Sequence, residues 1–203
     1  MRFLILFVIC IFSTNASTNI PINKFGYYWR NWNVNDPIPF DAVKGGINKH
    51  GDRTYIAKTI YPSVGVIVPG KAVAEDHKMY FESDNLEHVS TEDIEILCAL
   101  NTNRFHWVKT GLGKPVKDVL KNGHLVIGGH DRPKPIAIGR KIVGDELHIG
   151  KVVVNDQTDK FVDMRLTQDG RGWGVTDSYE VLVYDDVTDD CPIVNVQMAL
   201  TAC

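Results

Sequence analysis

Two pairs of polar residues recur along the chain at nearly the same spacing. Asn48 follows one Gly-Gly pair and precedes Lys71 by 23 residues, and Asp131 follows a second Gly-Gly pair and precedes Lys151 by 20. One strand out and one strand back would bring each lysine close to its partner. An amide or carboxylate beside an ammonium suits a ligand rich in hydroxyls, because a hydroxyl both donates and accepts. The spacing leaves two interpretations open: a sugar site, or turn glycines beside a surface ion pair that contributes little.

The sequence gives little support for nucleotide binding, metal binding or catalysis. Residues 65–72 have the glycine and lysine spacing of a phosphate-binding loop, but Ala72 replaces the Ser or Thr that holds magnesium. A metal site is conceivable at His124, His130, Asp131 and His148. Their spacing is not that of zinc ligands, so we favour satisfied surface or turn histidines. No nucleophile–base pair is indicated, and we expect a protein that is not an enzyme and uses neither a metal nor a cofactor.

The elements that must position these residues form an internal repeat. Four blocks recur in the same order with offsets of 80 to 85 residues: 45–48 and 128–131, 56–58 and 138–140, 69–73 and 149–153, 93–97 and 178–182. Ordered recurrence of this kind indicates duplicated structural units. We predict a first repeat over 29–99, a second over 104–184 and a C-terminal tail over 185–203.

The apolar pattern within each repeat is short and mostly alternating, which is typical of β-strands. Strands are predicted at 55–57, 64–67, 79–81, 94–98, 135–138, 147–149, 152–154, 161–164 and 179–184. Turn-forming residues separate them at 48–52, 144–145 and 169–170. Only residues 115–121 favour a helical turn. We therefore expect an all-β, sandwich-like domain in which the two repeats pack together, since a unit of this size buries little surface alone.

The N-terminus has the pattern of a secretory signal peptide. Arg2 precedes a ten-residue apolar stretch, and small residues follow up to Ala16. We expect cleavage after residue 16 and a secreted, extracellular protein. The chain has no apolar run long enough for a membrane span. Its net charge of −3 argues against a nucleic-acid-binding protein, which needs a clustered basic face.

Cysteine usage fits secretion only loosely. After loss of Cys10 the chain keeps three cysteines, so at least one is free or pairs between chains. Cys191 and Cys203 could close a loop of eleven residues in the tail. Cys98 ends an apolar strand and is predicted to be a buried, inert thiol.

These blocks together resemble the DM-nine repeat family. The resemblance is carried by Ala42-Val43-Lys44-Gly45-Gly46, Pro69-Gly70-Lys71-Ala72-Val73, Trp107-Val108, Gly128-Gly129-His130-Asp131, Ile149-Gly150-Lys151-Val152 and Tyr179-Glu180-Val181-Leu182. It covers roughly residues 29 to 184. The ordered set is specific, although each block alone would be weak.

The resemblance implies two tandem, intertwined repeats in one β-sandwich-like domain that is often dimeric. It also implies mannose-type carbohydrate recognition, with roles in pathogen recognition and agglutination. The acidic residue after Gly-Gly and the lysine after glycine grip the sugar in such proteins. Those roles fall on Asp131 and Lys151 in the second repeat and on Lys71 in the first. Natterin-like proteins carry similar repeats together with a pore-forming module, for which this chain has no room.

The chain departs from the family pattern at both sites. Asn48 replaces the acidic residue of the first site, which removes a charge and the stronger hydrogen bonds that a carboxylate makes. Ile149 replaces the proline before Gly150 in the second. We therefore expect a secreted, glycan-binding lectin of mannose type. The alternative is a secreted effector or toxin-like protein-interaction module whose sugar sites have decayed.

Overall fold

A computed structural model describes residues 26–121, 123–131 and 134–186, and in them strands dominate. The predicted signal peptide and the cysteine pair Cys191 and Cys203 lie outside the described residues. The strands of the first half are β1 (Tyr28–Trp32), β2 (Lys44–Ile47), β3 (Arg53–Tyr61), β4 (Val66–Val73), β5 (Lys78–Ser83), β6 (Leu86–Ser90) and β7 (Ile94–Cys98).

The second half repeats this order with one additional short strand. Its strands are β8 (Phe105–Thr110), β9 (Gly123–Leu125), β10 (Ile127–Asp131), β11 (Lys134–Val143), β12 (Glu146–Asn155), β13 (Lys160–Gln168), β14 (Arg171–Val175) and β15 (Tyr179–Asp185). A 3₁₀ turn spans Thr102–Arg104, and the predicted helical turn forms helix α1 (Lys117–Leu120). The all-β prediction is confirmed.

The two halves are intertwined through their glycine pairs. Strand β2 of the first half pairs with β12 of the second, with Ile47 opposite Leu147, and β10 of the second half pairs with β4 of the first, with His130 opposite Ile67. Strand pairing runs as a closed ring through β2, β3, β4, β5, β6, β14, β13 and β12. Each half therefore contributes a strand that pairs with a strand of the other half.

The Gly-Gly pairs lie in these crossing strands, not in the tight turns that the sequence suggested. A methyl group at Gly46 would overlap the carbonyl oxygen of Leu147, and one at Gly129 would overlap the carbonyl oxygen of Ile67. Backbone carbonyls cannot rotate away as a flexible side chain can. Glycine is required at these two positions because two backbones meet there.

Three apolar clusters form the core. One belongs to the first half and includes Val68 and Phe81, and a second belongs to the second half and includes Val152 and Phe161. A third cluster contains residues of both halves: Val43, Ile56, Leu97, Ala99, Val126, Ile138, Ile149, Leu182 and Tyr184. This shared cluster joins the repeats into one packed unit.

Each repeat holds a basic side chain between a glutamate and a tryptophan. Lys58 Nζ lies 2.8 Å from Glu95 Oε2 and 4.5 Å from the centre of the Trp29 ring. In the second repeat Arg140 Nε lies 2.6 Å from Glu180 Oε2, and its guanidinium lies 4.3 Å from the centre of the Trp107 ring. Ion pairing and cation–π attraction account for these recurring residue types without a ligand.

Cys98 is free and buried, as predicted. Burial, with the nearby Asp41 carboxylate, raises the pKa of its thiol to about 11. The thiol is therefore protonated and unreactive at neutral pH.

Candidate functional site

A polar cleft lies where the repeats cross, and Asn48 and Lys71 both line it. Asn48 follows strand β2 directly, β3 leads away, and β4 returns with Lys71, as the spacing predicted. The cleft has a volume of about 320 Å³. Residues of both repeats line it: Asn48, Lys49, His50, Lys71, Val73, Asp76, Tyr80, Glu87, Glu146, Gln168 and Asp169.

The Asn48 side chain is used by its own turn. Its Oδ1 accepts hydrogen bonds from the backbone N–H groups of His50 and Asp52, each at 2.9 Å, and its Nδ2 donates to Asp52 Oδ2 at 3.1 Å. Such local bonds are what asparagine characteristically contributes to turns. Both lone pairs of Oδ1 are thereby occupied, so Asn48 shapes the turn that carries Lys49 and His50 into the cleft.

Lys71 is the most unusual group of the cleft. It is only 9% exposed, and among the described residues its Nζ makes no hydrogen bond. The nearest carboxylate oxygen, Glu146 Oε2, is 3.8 Å away, and the centre of the Tyr80 ring is 5.8 Å away. An ammonium has three donors, and this one borders the open space of the cleft. The cleft therefore presents a donor with unused capacity.

Glu146 and His148 come from the second repeat and stand at the inner end of the cleft. Glu146 is buried, and Gln168 donates to its Oε1 at 3.4 Å. His148 is 1% exposed, neither ring nitrogen has a hydrogen-bond partner among the described residues, and its Nε2 lies 3.8 Å from Glu146 Oε2. Burial and the Lys71 ammonium lower the pKa of His148. The prediction of a satisfied surface or turn histidine is wrong at His148, which lies buried within strand β12.

The outer rim of the cleft is acidic around Tyr80. The Tyr80 hydroxyl donates to Asp76 Oδ2 at 2.9 Å. Burial, this hydrogen bond and the nearby carboxylates of Asp76 and Glu87 raise the pKa of Tyr80 to about 12. Across the rim, Lys49 Nζ lies 4.0 Å from Asp169 Oδ1.

The second predicted pair is arranged differently. Asp131 is the exposed last residue of β10, opposite Lys134 of β11. Lys151 Nζ lies 2.8 Å from Glu82 Oε2 and donates to the Glu82 carbonyl oxygen at 3.0 Å. Within the described ranges no ion pair joins Asp131 to Lys151. The Glu82 carbonyl uses one donor of Lys151 and its carboxylate forms an ion pair with the ammonium, so Lys151 keeps donor capacity for a ligand.

Comparison with known proteins identifies a repeat family within the chain. A family model described as the DM9 repeat matches residues 63–162, which run from just after β3 into β13. This segment of the chain is a DM9 repeat match.

The fold of this chain also occurs in a solved structure. The crystal structure of the nematode sperm cell motility protein MFP2B is similar with a TM-score of 0.60 and 16% sequence identity. The match covers 80% of this chain and 47% of that one, so this chain spans about half the length of its structural relative. No curated protein sequence matches the chain significantly.

The sequence patterns indicated Asn48 and Lys71, indicated His148 only as a conceivable metal ligand, and gave no sign of Glu146 and Tyr80. A signal for Glu146 and His148 at this cleft exists in the repeat itself. Alignment of the lysine blocks sets Glu146 and His148 against Val66 and Val68, which are apolar. Polar residues at positions that are apolar in the other repeat indicate that this part of β12 does something other than pack in the core.

No group of three or more His, Cys, Asp or Glu is arranged to hold a metal ion in the part of the chain that the structure describes. No helix in that part is long and apolar enough to cross a membrane.

Proposed function

We propose that this protein is a secreted carbohydrate-binding lectin of mannose type. The observation that carries the proposal is the Lys71 ammonium, which lines a polar cleft 3.8 Å from Glu146 Oε2 and makes no hydrogen bond among the described residues. A sugar hydroxyl is a suitable acceptor for it, and Glu146 lies close enough to accept from a neighbouring hydroxyl of the same ring. Asp131 and Lys151 are proposed as the second site.

Mannose specificity and glycan recognition rest on the resemblance to the DM-nine family, and secretion rests on the N-terminal sequence. Two sites on one chain would bind a polyvalent glycan with greater avidity than either site alone. A protein of this kind would agglutinate cells that display the sugar, even where each site binds weakly, and a homodimer would carry four sites.

Substitution of one residue at each site tests the proposal. Lys71→Met removes the ammonium and keeps an unbranched stem in the cleft, and Asp131→Asn removes an exposed charge without changing shape. We expect each substitution to weaken binding to immobilised mannan, and the double variant to weaken it by more than about tenfold, as loss of charge-assisted hydrogen bonds predicts. Free mannose should compete with wild-type binding.

The control is Lys44→Met, which makes the same change at an exposed position of strand β2. It should bind mannan as the wild type does. Circular dichroism would verify that all variants are folded. A folded double variant with unchanged mannan binding would refute the assignment of both sites.

A second candidate function is binding to a protein partner. Phe40 and Leu100 are 88% and 80% exposed, and both line another cleft, of about 410 Å³, together with Phe105 and Trp107. Large exposed apolar side chains that lie together are typical of protein-interaction surfaces. Well-folded protein that binds no glycan on an array, but loses a specific protein partner on Phe40→Ser, would favour this function.

A further inference from the structure

The charges that line the cleft of the first repeat do not balance. Lys71 is close to Glu146 at the inner end, and Lys49 is close to Asp169 at the rim. Two lining carboxylates remain, Asp76 and Glu87. No Lys, Arg or His nitrogen in the described ranges lies within 4.0 Å of either carboxylate, although the backbone N–H of Gly170 donates to Glu87 at 3.1 Å.

Both uncompensated carboxylates lie beside the same side chain. The Tyr80 hydroxyl bonds Asp76 directly, and the charges of both Asp76 and Glu87 are felt at that hydroxyl. The outer end of the cleft is therefore an anionic position next to an aromatic ring. A ligand group that carries a positive charge would compensate it.

The inner end of the cleft, beside Lys71 and Glu146, suits a different ligand group. There the Lys71 side chain is 11% exposed, and its ammonium lies 3.8 Å from Glu146 Oε2 without a hydrogen bond among the described residues, so it can donate to a ligand acceptor, and Glu146 can accept in turn. A hydroxyl meets both demands, whereas a second ammonium would be repelled by Lys71. A ligand that fits the whole cleft has hydroxyls at one end and a cationic group at the other.

The second repeat lacks this acidic rim. Tyr80 stands opposite Lys71 in the pairing of β4 with β5, and Arg165 takes the same place opposite Lys151 in the pairing of β12 with β13. Glu87 stands opposite Glu82, and the corresponding pairing in the second repeat sets Gly172 opposite Thr167. Of the residues at the rim of the first cleft, Tyr80 is thus replaced by a cation and Glu87 by a glycine in the second repeat.

We propose that the cleft of the first repeat binds a hexosamine with a free amino group. Its ring hydroxyls would contact Lys71 and Glu146, and its ammonium would lie beside Tyr80 between Asp76 and Glu87. The inference rests on the proposed carbohydrate-binding function and narrows the ligand of one site. The first repeat then binds an amino sugar more tightly than a neutral sugar such as mannose, whereas the second repeat binds a neutral one.

Equilibrium binding to the full chain tests this inference with four probes: glucosamine, N-acetylglucosamine, mannose and cyclohexylamine. Glucosamine should bind at least about tenfold more tightly than N-acetylglucosamine, since acetylation removes the charge that the rim compensates. Cyclohexylamine is an amine without hydroxyls, so it cannot hydrogen-bond with Lys71 and Glu146 at the inner end of the cleft. It should therefore bind at least about tenfold more weakly than glucosamine.

Replacing the rim carboxylates by amides of the same shape tests whether they bind the amino group. Asp76→Asn combined with Glu87→Gln should remove the preference for glucosamine over N-acetylglucosamine while leaving mannose binding through Asp131 and Lys151 unchanged. Asp118→Asn, on the exposed face of helix α1, makes the same charge change outside the cleft and is the control.

The outcomes separate this inference from the proposed function. The inference would be overturned if glucosamine and N-acetylglucosamine bound with equal affinity, or if cyclohexylamine bound as tightly as glucosamine. It would also be overturned if the Asp76→Asn, Glu87→Gln variant still preferred glucosamine to N-acetylglucosamine. Mannose binding without glucosamine binding would overturn it and leave the lectin function intact. Absence of binding by every sugar would overturn both.

Discussion

His148 is a fully buried imidazole, and its burial makes stability depend on pH. Its pKa is lowered in the folded protein, first by burial and then by Lys71. In the unfolded chain it titrates near pH 6.5. Below that pH the unfolded state binds a proton that the folded state does not, so acid favours unfolding. The free energy of unfolding should therefore fall by up to about 1.4 kcal/mol per pH unit below pH 6.5 through this residue alone.

His148→Val restores the residue type found at the matching position of the first repeat, Val68, and should remove this contribution. The measurement is urea unfolding of both proteins between pH 7.5 and about pH 5, over which the free energy of unfolding of the wild type should fall relative to that of His148→Val. Other groups face the same imidazole, namely Lys71, Glu146 and Glu87, but they are present in both proteins and largely cancel in the difference. His50→Gln, at an exposed turn position, is the control. Parallel curves for wild type and His148→Val would contradict the account.

A single substitution can test the close approach of strands β2 and β12 at Gly46. Gly46→Ala places a methyl group against the Leu147 carbonyl oxygen and within 2.6 Å of Thr54 Oγ1, so β2 and β12 must separate. We expect a loss of about 3 kcal/mol in the free energy of unfolding, the upper range for overpacking. Lys44→Ala, at an exposed position of the same strand, should cost less than about 0.5 kcal/mol. Urea unfolding measures both, and a near-neutral Gly46→Ala would mean that the backbones do not meet at this point.

The crossing also explains which elements could be predicted from the sequence. Alternating apolar residues identified β5, β7, β13 and β15, whose burial follows from their own sequence. Strands β2 and β10 were missed because a glycine pair signals a turn locally, and only the opposite repeat makes it a strand. Strand β12 was predicted as two strands because Gly150 and Lys151 interrupt its apolar run, but Gly150 is required by close approach to the Arg165 carbonyl.

The same limit applies to the candidate site. Asn48 and Lys71 belong to one hairpin-like segment, so their spacing alone predicted that they share a cleft. Glu146 enters that cleft from the other repeat, and no local pattern in the sequence indicates an exchange of strands between repeats. Comparison of the two copies identifies Glu146 as unusual, yet only the fold supplies its neighbour Lys71.

The whole molecule should unfold as one unit because neither repeat has a complete core of its own. The shared cluster takes Ile56 and Leu97 from the first repeat and Ile138 and Leu182 from the second, all fully buried. Opening one repeat would expose the half of this cluster that the other contributes and would break the pairings of β2 with β12 and of β4 with β10. The cost of partial opening therefore approaches the cost of global unfolding.

Native-state hydrogen exchange measures this directly. The slowest amides at the centres of β7 and β15, one strand from each repeat, should report opening free energies that agree within about 0.5 kcal/mol and that fall with denaturant at the same slope. Gly129→Ala, which disturbs the crossing of β10 over β4, should lower both values by the same amount although it lies in the second repeat. Two distinct values with different denaturant slopes, or a Gly129→Ala effect confined to β15, would show that the repeats open independently and that the shared cluster contributes little to holding them together.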